Sequence, residues 1–161
     1  MKNFMIAALL VSAGMCLGAV AEARLQFKTA GFSIQPLETQ PGRFVYQPLI
    51  MLLPPSNGFA SNVNIQVQPY PGTIDEYVAI SKKQFVAAKF DLIREDRVGK
   101  ESVLLEYAGE LKGRKMHWYA KAMSNGKAVY LATATTTETQ WPKTADRLKE
   151  CVHSFEIEKS K

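Results

Sequence analysis

The sequence has few of the residues on which metal sites, disulfide frameworks and catalytic centres are built. Its 161 residues include two cysteines and two histidines, too few for a disulfide scaffold or a zinc site. It also lacks His-x-x-x-His, Cys-x-x-Cys and Gly-x-Ser-x-Gly patterns, and any glycine-rich phosphate loop. We therefore expect no catalytic residues, no metal, no cofactor and no enzyme activity.

The composition predicts an ordinary globular protein with a small excess of positive charge. Hydrophobic residues make up 47% of the chain and charged residues 22%, and the formal net charge is +5, which excludes a disordered chain. The basic residues are spread along the sequence, whereas strong nucleic-acid binders concentrate them and add stacking aromatics. We expect no nucleic-acid partner and at most a weak attraction to an anionic membrane surface.

The first residues predict export. A charged start precedes an apolar run from Phe4 to Val20, and small residues follow, as in a secretory signal peptide. Cleavage sites fit at Ala19-Val20-Ala21 and at Ala21-Glu22-Ala23, and we favour the second. The prediction is a signal peptide over residues 1–23 and a single domain over residues 24–161, either periplasmic or secreted.

The sequence disfavours two alternatives to cleavage. An uncleaved anchor is disfavoured because the apolar run is slightly short for a span of about 20 residues. Lipid attachment at Cys16 is disfavoured because bulky Met15 stands before it, where a small residue is usual. Cleavage would leave Cys151 as the mature chain's one cysteine, and its place on an apolar helical stripe predicts a buried thiol.

Hydrophobic periodicity predicts an α+β fold with a mostly antiparallel sheet. Residues 62–68 alternate strictly between apolar and polar, which indicates a strand with one partly covered face. Thr73 and Glu76 form a capping-box pattern, so a helix should start there. Its core-facing residues should be Ile74, Tyr77, Val78, Ser81, Phe85 and Ala88.

A meander of strands should follow that helix. Segment 91–97 leads to a strand carrying Val103, Leu105 and Tyr107, and tight turns are expected at Lys112-Gly113 and Asn125-Gly126. Between those turns, Met116, Trp118, Ala120 and Ala122 should lie on one face of a strand, and His117, Tyr119, Lys121 and Met123 on the other. After a strand over about 128–136, the pattern predicts a second helix over about 139–152, and a last strand over 154–157.

Several short motifs in this order resemble the PsbP-like superfamily, in particular its bacterial envelope members of the DcrB type. The motifs are Gly31-Phe32-Ser33-Ile34, Ala60-Ser61-Asn62-Val63-Asn64-Ile65, Thr73-Ile74-Asp75-Glu76-Tyr77, Asn125-Gly126-Lys127 and Ser154-Phe155. The family's Tyr-Pro-x-x-Trp is replaced by Pro36-Leu37-Glu38. The resemblance implies an α/β/α sandwich used to bind partners.

These observations predict an exported, non-catalytic binding protein of the bacterial envelope. We expect a monomer whose partner is another envelope protein, bound through His117, Tyr119 and Lys121 beside the loop 54–58. A helix covering this face is the competing interpretation, and a histidine on a strand's polar face is usually solvated. The alternative function is carriage of a small apolar or lipid-like ligand, with Met116, Trp118 and Tyr130 as possible cavity walls.

Overall fold

The structure, a computed structural model, describes residues 24–28, 31–35 and 45–158. The chain divides into two compact units, residues 1–39 and 40–161. Residues 1–23, the predicted signal peptide, lie outside the described residues, and one domain over 24–161 stays a prediction. In the first unit, strands β1 (Leu25–Phe27) and β2 (Phe32–Ile34) pair antiparallel.

The second unit is built on a six-stranded sheet in which every pair of neighbouring strands is antiparallel. Its strand order is β3-β4-β8-β7-β6-β5. The strands are β3 (Tyr46–Leu52), β4 (Asn62–Pro69), β5 (Asp91–Gly99), β6 (Ser102–Leu111), β7 (Arg114–Ser124) and β8 (Ala128–Thr137).

One helix packs on each face of this sheet, so the unit is an α/β/α sandwich, as predicted. Helix α1 (Ile74–Ala88) packs on the apolar face of Val103, Leu105 and Ala122. Helix α2 (Trp141–His153) packs on the opposite face, where Leu148 and Val152 join the second core cluster. The predicted faces of the central strands are confirmed.

The local signals at the start of α1 and at the first turn are also confirmed. Thr73 Oγ1 accepts a hydrogen bond from the Glu76 amide at 3.2 Å, and Glu76 Oε2 accepts one from the Thr73 amide at 2.8 Å. Lys112 and Gly113 both have positive φ, 53° and 74°, as a two-residue type I′ hairpin requires.

The second turn is longer than the Asn-Gly pattern suggests. Three residues, Asn125 to Lys127, connect β7 to β8, and only Gly126 has positive φ. Asn125 Oδ1 instead accepts hydrogen bonds from the amides of Lys127 and Ala128 at 3.0 and 2.9 Å. The asparagine thus stabilises the turn through its side chain.

Two predictions about the secondary structure and the core face of α1 are wrong. Residues 154–158 form no strand; within them, the Phe155 carbonyl accepts a hydrogen bond from Lys121 Nζ, which also donates to the His153 carbonyl. Ala88, expected on the core face of α1, is exposed, because it belongs to the helix's last turn, beyond the buried residues Ile74, Val78 and Ser81.

Candidate functional site

Helix α2 covers the face on which the sequence placed a binding surface. His117 and Tyr119 are only 4% and 5% exposed, and Lys121 is half-buried. The expectation of a solvated His117 is therefore wrong, since strand alternation indicates which face a side chain occupies but not what covers that face. The competing interpretation, a helix over this face, describes the structure.

His117 lies between two carboxylates. Its Nδ1 is 2.9 Å from Glu138 Oε1, and its Nε2 is 2.9 Å from Glu106 Oε1. The two ring nitrogens thus join Glu106 of β6 to Glu138, which lies just after β8. Lys149 Nζ, from α2, lies 3.3 Å from the other oxygen of Glu106, and the imidazole stacks on Trp141 with centroids 3.9 Å apart.

The other two predicted residues hold the end of α2. Tyr119 Oη is 2.9 Å from His153 Nε2, and burial, followed by the nearby Glu106 carboxylate, raises the pKa of the tyrosine. Lys121 Nζ donates to the carbonyls of His153 and Phe155 at 3.0 and 2.6 Å. The three residues thus come together as ties between the sheet and α2, and a binding role, which stays a prediction, would require α2 to move.

The opposite face carries a cleft that the sequence analysis did not locate. It lies between α1 and the sheet, with a volume of about 350 Å³. Leu105 and Ala120, each 2% exposed, belong to its floor. The remaining lining residues are Val45, Gln68, Tyr70, Tyr77, Ile80, Ser81, Gln84, Phe85, Tyr107 and Leu131. None of the twelve carries a charge.

An aromatic column supports this cleft. Phe85 of α1 stacks on Tyr107 of β6 at 4.3 Å between centroids, and Tyr107 stacks on Trp118 of β7 at 5.2 Å. Phe90 lies against Trp118 at 4.8 Å. The Tyr107 ring at the cleft wall therefore packs against both Phe85 and Trp118.

Phenol groups of Tyr77 and Tyr107 are among the polar groups that line the cleft, together with Gln68, Ser81 and Gln84. Tyr77 Oη donates to Gln68 Oε1 at 3.0 Å, whereas no described residue hydrogen-bonds the Tyr107 hydroxyl. Burial is the main cause that raises the pKa of both tyrosines. For Tyr107 it raises the pKa well above the usual range of a tyrosine. Both phenols stay protonated at neutral pH, and Tyr107 can donate a hydrogen bond to a ligand.

The cavity walls proposed from the sequence lie elsewhere. Met116 and Trp118 are core residues, 3% and 7% exposed, and neither they nor Tyr130 line the cleft. One sequence signal did point to this side of the sheet, namely the alternation in β4, which predicted a partly covered face. Gln68, from the polar register of that strand, reaches the cleft.

Cys151 is a free thiol that packs against the α2-side core cluster, as predicted, but it is only partly buried. Across the described ranges, no three His, Cys, Asp or Glu side chains are grouped so that they could hold a metal ion. No helix there is both long and apolar enough to cross a membrane.

Comparison with known proteins gives one family and one fold. The PsbP family profile matches residues 61–157, which include α1, α2 and five of the six sheet strands. No curated protein sequence matches the chain.

Solved structures match over most of the chain. A Pseudomonas aeruginosa protein of unknown function, described as a putative regulator, is similar with a TM-score of 0.63 at 18% identity, over 86% of this chain and 98% of that one. Cyanobacterial PsbP from Synechocystis is similar with a TM-score of 0.47 at 15% identity, over 91% of this chain and 99% of that one.

Proposed function

Because the chain belongs to the PsbP family, we propose that it is an exported, non-catalytic binding protein of the bacterial cell envelope. Its ligand is a small, uncharged, largely apolar molecule that binds in the cleft beside α1. The amino-terminal segment of the sequence supports export, and the family supports a non-catalytic role. The cleft is the observation that supports the ligand.

The size and lining of the cleft favour a small molecule. Volumes of a few hundred Å³ are typical of small-molecule sites with mostly apolar walls and a few placed polar groups. Here the volume is about 350 Å³, and α1 contributes Tyr77 and Phe85 to the wall.

The charge of the ligand follows from the lining. A charged ligand buried in this cleft would lose its water without gaining a partner of opposite charge, which is costly. An uncharged ligand with one hydrogen-bond acceptor, such as a carbonyl or ether oxygen, can receive the Tyr107 hydroxyl instead. The rest of such a molecule would lie against Leu105, Ala120 and Leu131.

Dye binding tests the uncharged character of the site. The uncharged dye N-phenylnaphthylamine should bind with a saturable rise in fluorescence, and its sulfonated, anionic analogue should bind at least about tenfold more weakly. Gln84→Glu places a carboxylate at the cleft and should weaken binding of the neutral dye about tenfold. Gln47→Glu is the matched control, because Gln47 is also exposed but does not line the cleft. Equal effects of the two substitutions would contradict the proposal.

Native mass spectrometry of the exported protein tests for a natural ligand. A retained small molecule should be present in wild type and depleted by Tyr107→Phe, which removes only the hydroxyl. Dye binding should be unchanged in this variant, because the dye has no strong acceptor for that hydroxyl. Wild-type protein that retains no ligand and binds the dye without saturation would overturn the assignment of the cleft.

Binding of another envelope protein, the partner expected from the sequence, stays a prediction. Crosslinking in intact cells followed by recovery of the tagged protein tests it. If it is correct, substitution of Lys121, the most accessible of the three predicted residues, should reduce recovery of that partner. Repeated recovery without any envelope protein would count against it.

A further inference from the structure

A second pocket lies on the α2 side of the sheet, beyond the last turn of that helix. Its volume is about 240 Å³, smaller than the roughly 300–1,000 Å³ of sites for drug-sized ligands. Strands β5, β6 and β7 contribute to it, together with the end of α2 and the segment that follows. The lining residues are Val98, Ser102, Lys121, Met123, His153, Glu156 and Ile157. None of them lines the cleft beside α1, so the two sites are separate.

The hydroxyl group of Ser102 is the unusual feature of this pocket. Ser102 is 7% exposed, and no described residue forms a hydrogen bond with its Oγ. Buried polar groups in folded proteins nearly always have a partner, because a buried hydroxyl without one is costly. Since Ser102 lines the pocket, a ligand with an acceptor oxygen can take the hydrogen bond that the protein itself does not supply.

Lys121 brings a positive charge to the same pocket. The pairing of β6 with β7 makes Ser102 and Lys121 diagonal neighbours on one face of the sheet, within reach of a long side chain. Lys121 Nζ donates to the carbonyls of His153 and Phe155. Among the described residues it pairs with no carboxylate. This half-buried ammonium therefore has only neutral partners, and an anion beside it would gain a charge-assisted hydrogen bond.

We propose that this pocket binds a small molecule that has one carboxylate and a short apolar tail. The carboxylate accepts hydrogen bonds from the Ser102 hydroxyl and the Lys121 ammonium, which are the two donors that the fold places side by side. The tail lies against the apolar part of the lining, formed by Val98, Met123 and Ile157. Val98 is 48% exposed, so a bound tail also removes apolar surface from water.

The charges around the pocket are compatible with an anion. Carbonyl groups at the end of a helix disfavour negative charge, but Lys121 already binds those of His153 and Phe155. Glu156 lines the pocket but is exposed, so water and salt screen its charge. This proposal does not depend on the ligand of the α1 cleft, whose lining is uncharged, and either site can fail without the other.

An NMR titration of the exported protein with octanoate tests the site. Octanoate should shift the amide signals of Ser102, Met123 and Ile157 in a saturable way. Octanamide, the uncharged analogue of equal length, should bind there at least about tenfold more weakly. Lys121→Met should abolish this preference for the acid. The ratio of the two affinities is measured within one protein, so it stays informative if the substitution also loosens the segment after α2.

Ser102→Ala isolates the hydroxyl group. It removes a donor that has no partner in the ligand-free protein, so octanoate should bind about tenfold more weakly, and the thermal midpoint should not fall. Ser124→Ala is the matched control: Ser124 is 4% exposed, but its Oγ accepts a hydrogen bond from the Gly126 amide and it does not line the pocket. That variant should have a lower thermal midpoint and an unchanged affinity for octanoate.

Several results would overturn the proposal. They are a lower thermal midpoint for Ser102→Ala, an unchanged octanoate affinity in that variant, or equal affinities of wild type for the acid and the amide. Removal of residues 159–161, which lie outside the described residues, should leave octanoate affinity unchanged, because every lining residue precedes them. A tenfold rise after this removal would mean that the chain's own carboxyl end occupies the pocket, and that no separate ligand is needed.

Discussion

The two faces of the sheet are covered by helices of similar length but in different ways. Under α2, polar side chains tie the helix to the strands: Lys149 of α2 pairs with Glu106, which also contacts His117, and Lys121 holds the segment after the helix. Under α1, the contacts are aromatic and aliphatic, and a cleft of about 350 Å³ remains. The first face is closed by specific polar contacts, and the second leaves room for a ligand.

Because of this difference, we expect stability to depend mainly on the α2 face of the sheet and ligand binding mainly on the α1 face. Side chains that are paired and buried resist displacement, because breaking one pair leaves a charge without a partner. Apolar contacts around a cleft can accommodate a ligand at small cost, because they lack fixed directions. We therefore expect substitutions under α2 to change stability and substitutions at the α1 cleft to change binding.

The largest effect should come from His117→Ala. The substitution removes the ring that contacts both carboxylates and leaves Glu106, which is 8% exposed, with Lys149 as its remaining side-chain partner. The free energy of unfolding should fall by about 3 kcal/mol, measured by urea denaturation. Affinity of the folded variant for the neutral dye should not change, because His117 lies on the other face.

The second histidine provides the control for that experiment. His153 is exposed and bonded to the Tyr119 hydroxyl, so His153→Ala should cost about 1 kcal/mol or less. If the two alanine variants are equally stable, the Glu106–His117–Glu138 cluster does not hold α2. If His117→Ala weakens dye binding in protein that is still folded, the two faces are coupled rather than separate.

The next largest loss of stability should come from substitution of Gly109, which contacts the aromatic column. A Cβ at Gly109 would collide with the ring of Phe90, which packs on Trp118 below the cleft wall. Gly109→Ala should therefore cost about 1–3 kcal/mol through displacement of that ring. It should also weaken dye binding, because Tyr107 stacks on the same tryptophan.

Gly99→Ala is the matched control, since a Cβ there would meet only Ser102 Cβ at an ordinary 3.9 Å. Thermal unfolding and dye titration of both variants provide the comparison. A Gly109 variant as stable as the Gly99 variant would show that Phe90 can turn aside, and that the cleft wall is not rigid.

Much of the fold could be predicted from local sequence signals. The alternation at 62–68, the capping box at Thr73 and the turn at Lys112-Gly113 act over a few residues, and the structure confirms each. The predicted strand over 154–157 is absent, and the observed contact of its backbone is non-local, since Lys121, more than thirty residues earlier, donates to the Phe155 carbonyl. Local patterns do not contain that contact.

The candidate site was harder to predict than the fold. Alternation placed His117, Tyr119 and Lys121 on one face, which is correct, but it could not show that α2 covers that face. The cleft escaped prediction because its lining combines Gln68 of β4, Phe85 of α1 and Leu131 of β8. The size of a cleft between a helix and a sheet depends on how the helix is placed on the sheet. The periodicity of one sequence does not indicate that placement.

Substitutions at the starts of the two helices should change the free energy of unfolding less than those at His117 and Gly109. Thr73 caps α1 through its side chain, whereas Gln140 at the start of α2 makes no capping hydrogen bond. Thr73→Ala should lower the free energy of unfolding by about 1 kcal/mol and should loosen the helix that forms the cleft wall. Thr139→Ala removes, at an exposed position before α2, only a hydroxyl contact with Thr137 and should cost less than about 0.5 kcal/mol. Urea denaturation of both variants tests the contrast, and equal losses would contradict the role of the cap.

The smallest effect concerns the pH dependence of that same cap. Hydrogen bonds from the backbone and side chain of Thr73 lower the pKa of Glu76 from its ordinary value of 4.5. A lowered folded-state pKa means that the cap's contribution is fully present above the unfolded-state pKa, and it is lost as the pH falls through the folded value. Acidification below about pH 4.5 should therefore weaken α1 at its first turn. A carboxyl NMR titration should place the Glu76 midpoint below 4.5 in wild type and nearer to it in Thr73→Ala. An unchanged midpoint in the variant would mean that Thr73 does not hold the carboxylate in solution, and that α1 starts without its cap, as α2 does.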